Sequence, residues 1–267
     1  MSRTSGRVQT AWLALVLVIA DAAGCASAPI DEPPSDDVGQ PRRFEVGRSR
    51  RDRPIEAWDF GGDGPTVLVI GGIHGDEPTS ATVTRDLLDE LRRRPELTQG
   101  ARVVIVPESN PDGLAAGTRA NERGVDLNRN FPARNWRRAP GRSLRRGDAP
   151  ASEPETLAVL DVIARTRPAL IVAIHSIGGG RHCNNYDGPA RHFAEAMTEK
   201  NGYPTRASIG YPTPGSLGSW AGIDLGIPTI TLELPRERHA VLAWRENREA
   251  LVALLRTASA STGPLGR

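Results

Sequence analysis

Four short apolar runs punctuate an otherwise mixed chain: Thr66–Gly71, Arg102–Pro107, Leu170–His175 and Thr229–Leu234. Each is rich in Val, Ile and Leu, the pattern of strands buried on both faces. Between and after them, apolar residues recur at helical spacing. That spacing predicts helices over about Pro78–Arg93, Ser152–Thr166, Pro189–Asn201 and Arg236–Thr257. The second opens with Ser152-Glu-Pro-Glu155, a serine followed three positions later by glutamate, which predicts a capping box. The last carries Val241, Trp244, Leu251, Leu254 and Leu255 on one predicted stripe. Strands alternating with helices predict an α/β fold: an open mixed, largely parallel sheet with helices on both faces. No internal repeat is visible.

Composition narrows this picture. The chain has 267 residues, 38% hydrophobic and 25% charged, enough for one large domain plus a short appendage. A net charge of +2 gives no electrostatic case for a nucleic-acid partner. Lys200 is the only lysine, and the arginines are spread along the chain.

The N-terminal segment reads as a targeting element. Arg3 and Arg7 precede an apolar run, Ala11 to Ala20, and then Ala22-Ala-Gly-Cys25. A charged start, a short apolar stretch and small residues are the order of an export signal. The apolar run is far short of the ~20 residues that span a bilayer. Ala-Ala-Gly-Cys resembles a bacterial lipobox, which would place a lipid on Cys25. The expectation is an exported lipoprotein in the bacterial cell envelope, anchored to a membrane and facing the periplasm; a plainly cleaved signal and an uncleaved anchor are the alternatives. Residues 26–43 are rich in proline and acid and poor in apolar residues, which predicts a flexible linker. The domain organisation expected is 1–25 signal and lipobox, 26–43 linker, 44–260 catalytic domain. Cys183 is then without a disulfide partner and reads as a buried or site-lining thiol.

Candidate chemistry gathers at the carboxyl ends of the predicted strands, where open α/β sheets bind ligands. His74 and Glu77 follow the first strand, three residues apart. His175 ends the third. Two imidazoles and a carboxylate suit a zinc ion with one open position. His182 is the nearest rival for the third ligand, but it follows three glycines and lies off the strand. Glu233 interrupts the fourth run. It reads either as an ion-pair partner for an arginine or as a general base, since a buried carboxylate is costly unless paired or used. Arg119, Asn128 and Arg129 lie in a polar segment that is either a solvated loop or a carboxylate anchor, guanidinium being a planar fork for such groups. The cluster Arg134–Arg146 reads as a surface loop.

Taken in order, His74-Gly-Asp-Glu77, Asn110-Pro-Asp-Gly113, Gly124-Val-Asp-Leu-Asn-Arg-Asn130, Ser152-Glu-Pro-Glu155, His175 and Thr231-Leu-Glu233 resemble the zinc metallocarboxypeptidase family. The resemblance runs over roughly residues 64–256. It implies a carboxypeptidase-like α/β/α fold and one zinc ion per chain, held by His74, Glu77 and His175. It also implies Glu233 as general acid and base, Arg119 at the oxyanion, and Asn128 with Arg129 on the substrate's terminal carboxylate. Tyr211, ahead of Gly215-Ser216, is the candidate for the family's mobile tyrosine, with two prolines intervening. Gly210–Trp220 and Pro150–Thr156 look most like the murein peptide amidases of that family. Those enzymes cut between γ-D-glutamate and meso-diaminopimelate in cell-wall peptides. The implied partner is therefore a peptide or muropeptide. Leu217, Ser219 and the Gly178–Asp187 loop are candidates for the pocket of the last residue, with Arg181, Asn184 and Asp187 facing its charged end. Two other readings are an N-acyl amino acid deacylase like succinylglutamate desuccinylase and aspartoacylase, and an inactive lipoprotein that binds wall peptides.

Overall fold

A computed structural model of the chain describes residues 40–138 and 146–260. The predicted signal, nearly all of the predicted linker, and part of the Arg134–Arg146 cluster lie outside those residues. Eight strands form one sheet in the order β1-β2-β4-β3-β5-β8-β6-β7. They are β1 Arg42–Arg48, β2 Pro54–Asp59, β3 Thr66–Ile70, β4 Arg102–Val106, β5 Leu170–Ile177, β6 Cys183–Asp187, β7 Thr205–Arg206 and β8 Thr229–Pro235. The centre is parallel: β4 with β3, β3 with β5, β5 with β8. Antiparallel pairs flank it, β1 with β2, β2 with β4 and β6 with β8. The mixed, largely parallel sheet is the one expected.

Among the described residues five α-helices complete the fold: α1 Pro78–Arg93, α2 Pro111–Ala116, α3 Pro154–Thr166, α4 Arg191–Asn201 and α5 Ala240–Ala260. One face of the sheet presents Val67, Val69, Val103, Ile105, Leu170, Val172, Ile174, Ile230 and Leu232 to α1, α4 and α5. The other presents Ile55, Leu68, Ile70, Val104, Ile171 and Ala173 to α3 and to the segment around Phe131 and Trp220. Period-two alternation along buried strands produces the two cores.

The four apolar runs and the four longer helices match the predicted elements to within a few residues. Three expectations need correction. Strand β1 starts at Arg42, so Arg42 and Arg43 of the expected linker belong to the sheet. The capping box does not form: α3 starts at Pro154, and neither Ser152 nor Glu153 caps it by a side chain. Ser152 Oγ instead donates to Glu153 Oε1, while Glu155 accepts from the backbone N–H of Arg50 and from Asn121. Tertiary partners have outcompeted the local cap. On α5, Leu251, Leu254 and Leu255 are buried and Trp244 packs against them, but Val241 is exposed at the helix start.

Candidate active site

The site is built at the carboxyl ends of β3, β4, β5 and β8. The chain leaves β3 through Gly71 and Gly72 to reach His74 and Glu77, and Glu77 sits at the N-cap of α1. This turn is pressed against the start of α2. A Cβ on Gly75 would lie 1.9 Å from the Gly113 carbonyl carbon, so the contact admits only glycine. Asn110 joins the two turns, accepting from Gly113 N–H with Oδ1 and donating Nδ2 to the Ile73 carbonyl. The Asn110–Gly113 motif thus acts through the backbone that carries His74.

His175 lies on β5 beside Glu233 on β8, paired in register. Side chains so paired in a parallel sheet leave on the same face. Cys183 of β6 pairs with Glu233 on the other side. Along β8, Thr229, Thr231 and Glu233 alternate with Ile230, Leu232 and Leu234; the first three share the face of His175 and the others enter the core. Opposite them on β6 stand Asp187, Asn185 and Cys183. Of these, Thr231, Glu233, Asn185 and Asp187 line a cleft of about 500 Å3.

His74, Glu77 and His175 converge, and among the described residues they alone form a group able to hold a metal ion. His74 Nδ1 is 2.9 Å from Glu77 Oε1, His175 Nδ1 is 3.0 Å from Glu77 Oε2, and the two Nδ1 atoms are 3.1 Å apart. Two lone-pair nitrogens and a carboxylate aimed at one point fit zinc by donor type and count. The surrounding field also calls for a cation there. Burial opposes a charged imidazole, yet Glu77 and Asp126 outweigh it and lift His74 to about 9. Burial likewise opposes the Glu77 carboxylate, but His74 and His175 outweigh it and hold its pKa well below the usual range.

Asp126 supports the centre. Its Oδ1 accepts from His74 Nε2 at 2.9 Å and from the backbone N–H of Asn128 at 3.0 Å; its Oδ2 accepts from Arg119 Nε at 2.9 Å. One carboxylate therefore fixes the His74 ring and positions two other site segments, as metal-ligand histidines generally require. In the sequence Asp126 stands inside the Gly124–Asn130 motif with no role legible for it; an acid two residues before Asn128 is the one signal it gives. Arg119 also donates Nη1 to Glu77 Oε1 at 3.1 Å. Arg236 does so from the end of β8 at 3.2 Å, and it was missed entirely because it lies beyond the apolar run.

Glu233 is buried, and desolvation raises its pKa, with the neighbouring Glu77 charge adding to the rise and His175 opposing it. No arginine pairs with it among the described residues, so the ion-pair reading fails. Asn128 accepts from Leu217 N–H with Oδ1, and its Nδ2 lies 3.4 Å from His175 Nε2. Arg129 adjoins it, desolvated in the cleft wall, and Tyr211 stands exposed at the mouth with the Arg181 guanidinium 5.6 Å from its ring centre.

Other expectations resolve unevenly. Asp187 and Ser219 line the cleft, but Leu217 is core and Asn184 is buried against Thr198, Asn201 and Tyr203. His182 packs edge-on against Tyr203 and is no ligand. Cys183 is buried, and burial together with Glu233 pushes its thiol up to about 12, which leaves it neutral and unreactive. Arg134, Arg137 and Arg138 are exposed, as expected of a surface loop.

The zinc carboxypeptidase family profile matches residues 40–249. Murein peptide amidase A of Escherichia coli K12 is 38% identical over 186 residues, covering 63% of this chain and 70% of that protein. The crystal structure of murein-tripeptide amidase from Escherichia coli O157 superposes with a TM-score of 0.69 at 33% identity, covering 84% of this chain and 96% of that one. Carboxypeptidase A from Helicoverpa armigera shares the fold, with a TM-score of 0.74 at 22% identity, over 84% of this chain and 69% of that one.

Proposed function

The chain belongs to the zinc carboxypeptidase family, and on that premise we propose that it releases the C-terminal residue of murein-derived peptides by cutting the γ-D-glutamyl–meso-diaminopimelate bond. The observation that carries the peptidase part is the convergence of His74, Glu77 and His175 beside an unpaired, desolvated Glu233. The murein part is supported by the relatives and by Asp187, a carboxylate in the cleft wall suited to a side-chain ammonium.

His74, Glu77 and His175 would hold the zinc. When bound, zinc supplies Lewis acidity that polarises the scissile carbonyl and makes water a stronger acid. Asn128 and Arg129 grip the terminal carboxylate, a bidentate geometry that a planar guanidinium favours. Glu233 takes a proton from the attacking water and passes it to the departing amine; its raised pKa brings it nearer the operating pH, where such transfer is most effective. Arg119, braced by Asp126, faces the oxygen that becomes negative. Tyr211 closes over the substrate from the mouth.

Purified zinc-loaded protein is expected to release diaminopimelate from L-Ala-γ-D-Glu-meso-diaminopimelate, read by chromatography. Cleavage of ordinary C-terminal peptides alone would remove the murein reading. Cleavage of N-acyl amino acids alone would favour the deacylase reading, and tight peptide binding without any cleavage would favour an inactive binder.

The envelope location rests on the sequence of residues 1–43, outside those described except for residues 40–43. Exported, lipid-anchored protein should take up labelled fatty acid and lose the label in Cys25→Ser. Absence of label in the parent would leave the domain without a lipid anchor.

A further inference from the structure

The contacts around the cleft define a line. A Cβ on Gly218 would lie 2.1 Å from Asp187 Oδ2, so these two residues touch. Gly218 follows Leu217, whose N–H donates to Asn128; Asn128 meets His175; His175 meets Glu77; Glu77 meets Arg236. Asp187 and Arg236 therefore end this succession of contacts, with Asn128, His175 and Glu77 between them. With the substrate's last residue between Asn128 and Asp187, its acyl side leaves toward Arg236.

Arg236 is placed and held there. Nη1 donates to Asp76 Oδ2 at 3.0 Å and Nη2 to Glu77 Oε1 at 3.2 Å, while the side chain is 40% exposed and lines the cleft. Guanidinium has five N–H donors, so three remain for a ligand. A γ-linked glutamate differs from an ordinary peptide in one respect: its free α-carboxylate hangs four bonds from the scissile carbonyl carbon. That is a reach of roughly 5 Å, comparable to the offset of a guanidinium one hydrogen bond beyond a metal ligand.

We infer that Arg236 is a specificity-determining residue that reads the α-carboxylate of the γ-linked acyl residue. The inference rests on the murein-peptide reading above and names the group that separates such substrates from plain peptides. Arg129 and Arg236 then hold two carboxylates on opposite sides of the bond that is cut.

The test compares L-Ala-γ-D-Glu-meso-diaminopimelate with its α-amide, the D-isoglutaminyl analogue, in parent, Arg236→Gln and Arg236→Lys. A charge-assisted contact of this kind predicts an acid-over-amide preference in kcat/KM of about 30-fold for the parent. The preference should fall to within about threefold of unity in Arg236→Gln and recover partly in Arg236→Lys. Zinc content, measured alongside, should stay at one per chain. Calorimetry with the products L-Ala-D-Glu and L-Ala-D-isoglutamine should show the same collapse without turnover. A parent that cleaves acid and amide equally overturns the inference while leaving the murein reading intact, even if no variant folds. A preference that survives in Arg236→Gln overturns it too. A parent that cleaves neither fails the murein reading itself.

Discussion

Glu233 and Asp187 are both desolvated carboxylates without a cationic partner, and they call for opposite tests. Glu233 lies outside the ligand set, so Glu233→Gln should keep one zinc per chain while lowering kcat by at least 1,000-fold, roughly the general-base contribution. Loss of zinc with activity would instead make Glu233 a ligand. Asp187 is raised to about 6 by burial, with only Asn185 Nδ2 opposing at 3.3 Å. The native state therefore binds this proton more tightly than the unfolded chain, whose aspartates titrate near ~3.9. Stability contributed by the protonated form is full at about pH 4 and falls as pH rises to about 6. Asp187→Asn removes that loss. Its melting midpoint should nearly equal the parent's near pH 4 and exceed it by up to about 6–10 °C at pH 7.5, while its kcat/KM on the diaminopimelate substrate falls. An equal difference at both pH values would show that Asp187 is not the titrating group. The cluster of His74, Glu77 and His175, and the buried Glu233, were legible in the sequence because a polar residue at the end of an apolar run is expensive to bury without a use. Asp126 and Arg236 were not, since nothing in a polar segment distinguishes the one acid or arginine that folds back onto the site.

Elements differ in how plainly they announce themselves. Runs such as Val67–Ile70 bury every side chain, so composition alone reveals them. Strands β1 and β2 bury alternate residues at a sheet edge and carry Arg43, Glu45 and Glu56, which reads as polar loop. Strand β8 is legible as an apolar run, but its alternation says more: Thr231 and Glu233 mark a face turned to a cleft rather than to a helix. The segment from Thr118 to Asn130 has no regular structure beyond one short turn at Leu127–Arg129, yet it supplies Arg119, Asp126, Asn128 and Arg129. Its order comes from below. Buried Glu153 accepts from Asn121 Nδ2 at 2.9 Å, Arg123 Nη1 at 3.3 Å and Arg50 Nε at 3.4 Å, and Glu155 takes a second contact from Asn121 at 2.9 Å. Glu153→Ala should therefore cost about 1–3 kcal/mol in denaturant unfolding and raise KM several-fold as the carboxylate anchor loosens. Zinc stoichiometry should hold, because the ligands sit at the ends of β3 and β5. A stability loss with unchanged KM would confine these acids to folding alone.

At the scale of the whole molecule, the metal site ties strand ends that are far apart in sequence, with His74 and Glu77 after β3 and His175 on β5, 98 residues beyond Glu77. An ion bound there favours the folded chain over an unfolded one in which the ligands scatter, so stability should rise with free zinc as mass action requires. The field of Glu77 and Asp126 adds a pH dependence. His74 is raised to about 9, and its Nδ1 must shed that proton before it can ligate. Over pH 6 to 8 the zinc affinity should climb by up to tenfold per unit. The zinc-induced stabilisation at fixed, buffered free metal should then grow by up to about 1.4 kcal/mol per pH unit. Calorimetric melting at three pH values, with and without zinc, measures it. A zinc effect independent of pH would mean that no site proton is displaced, and so that His74 does not ligate through the nitrogen aimed at Glu77.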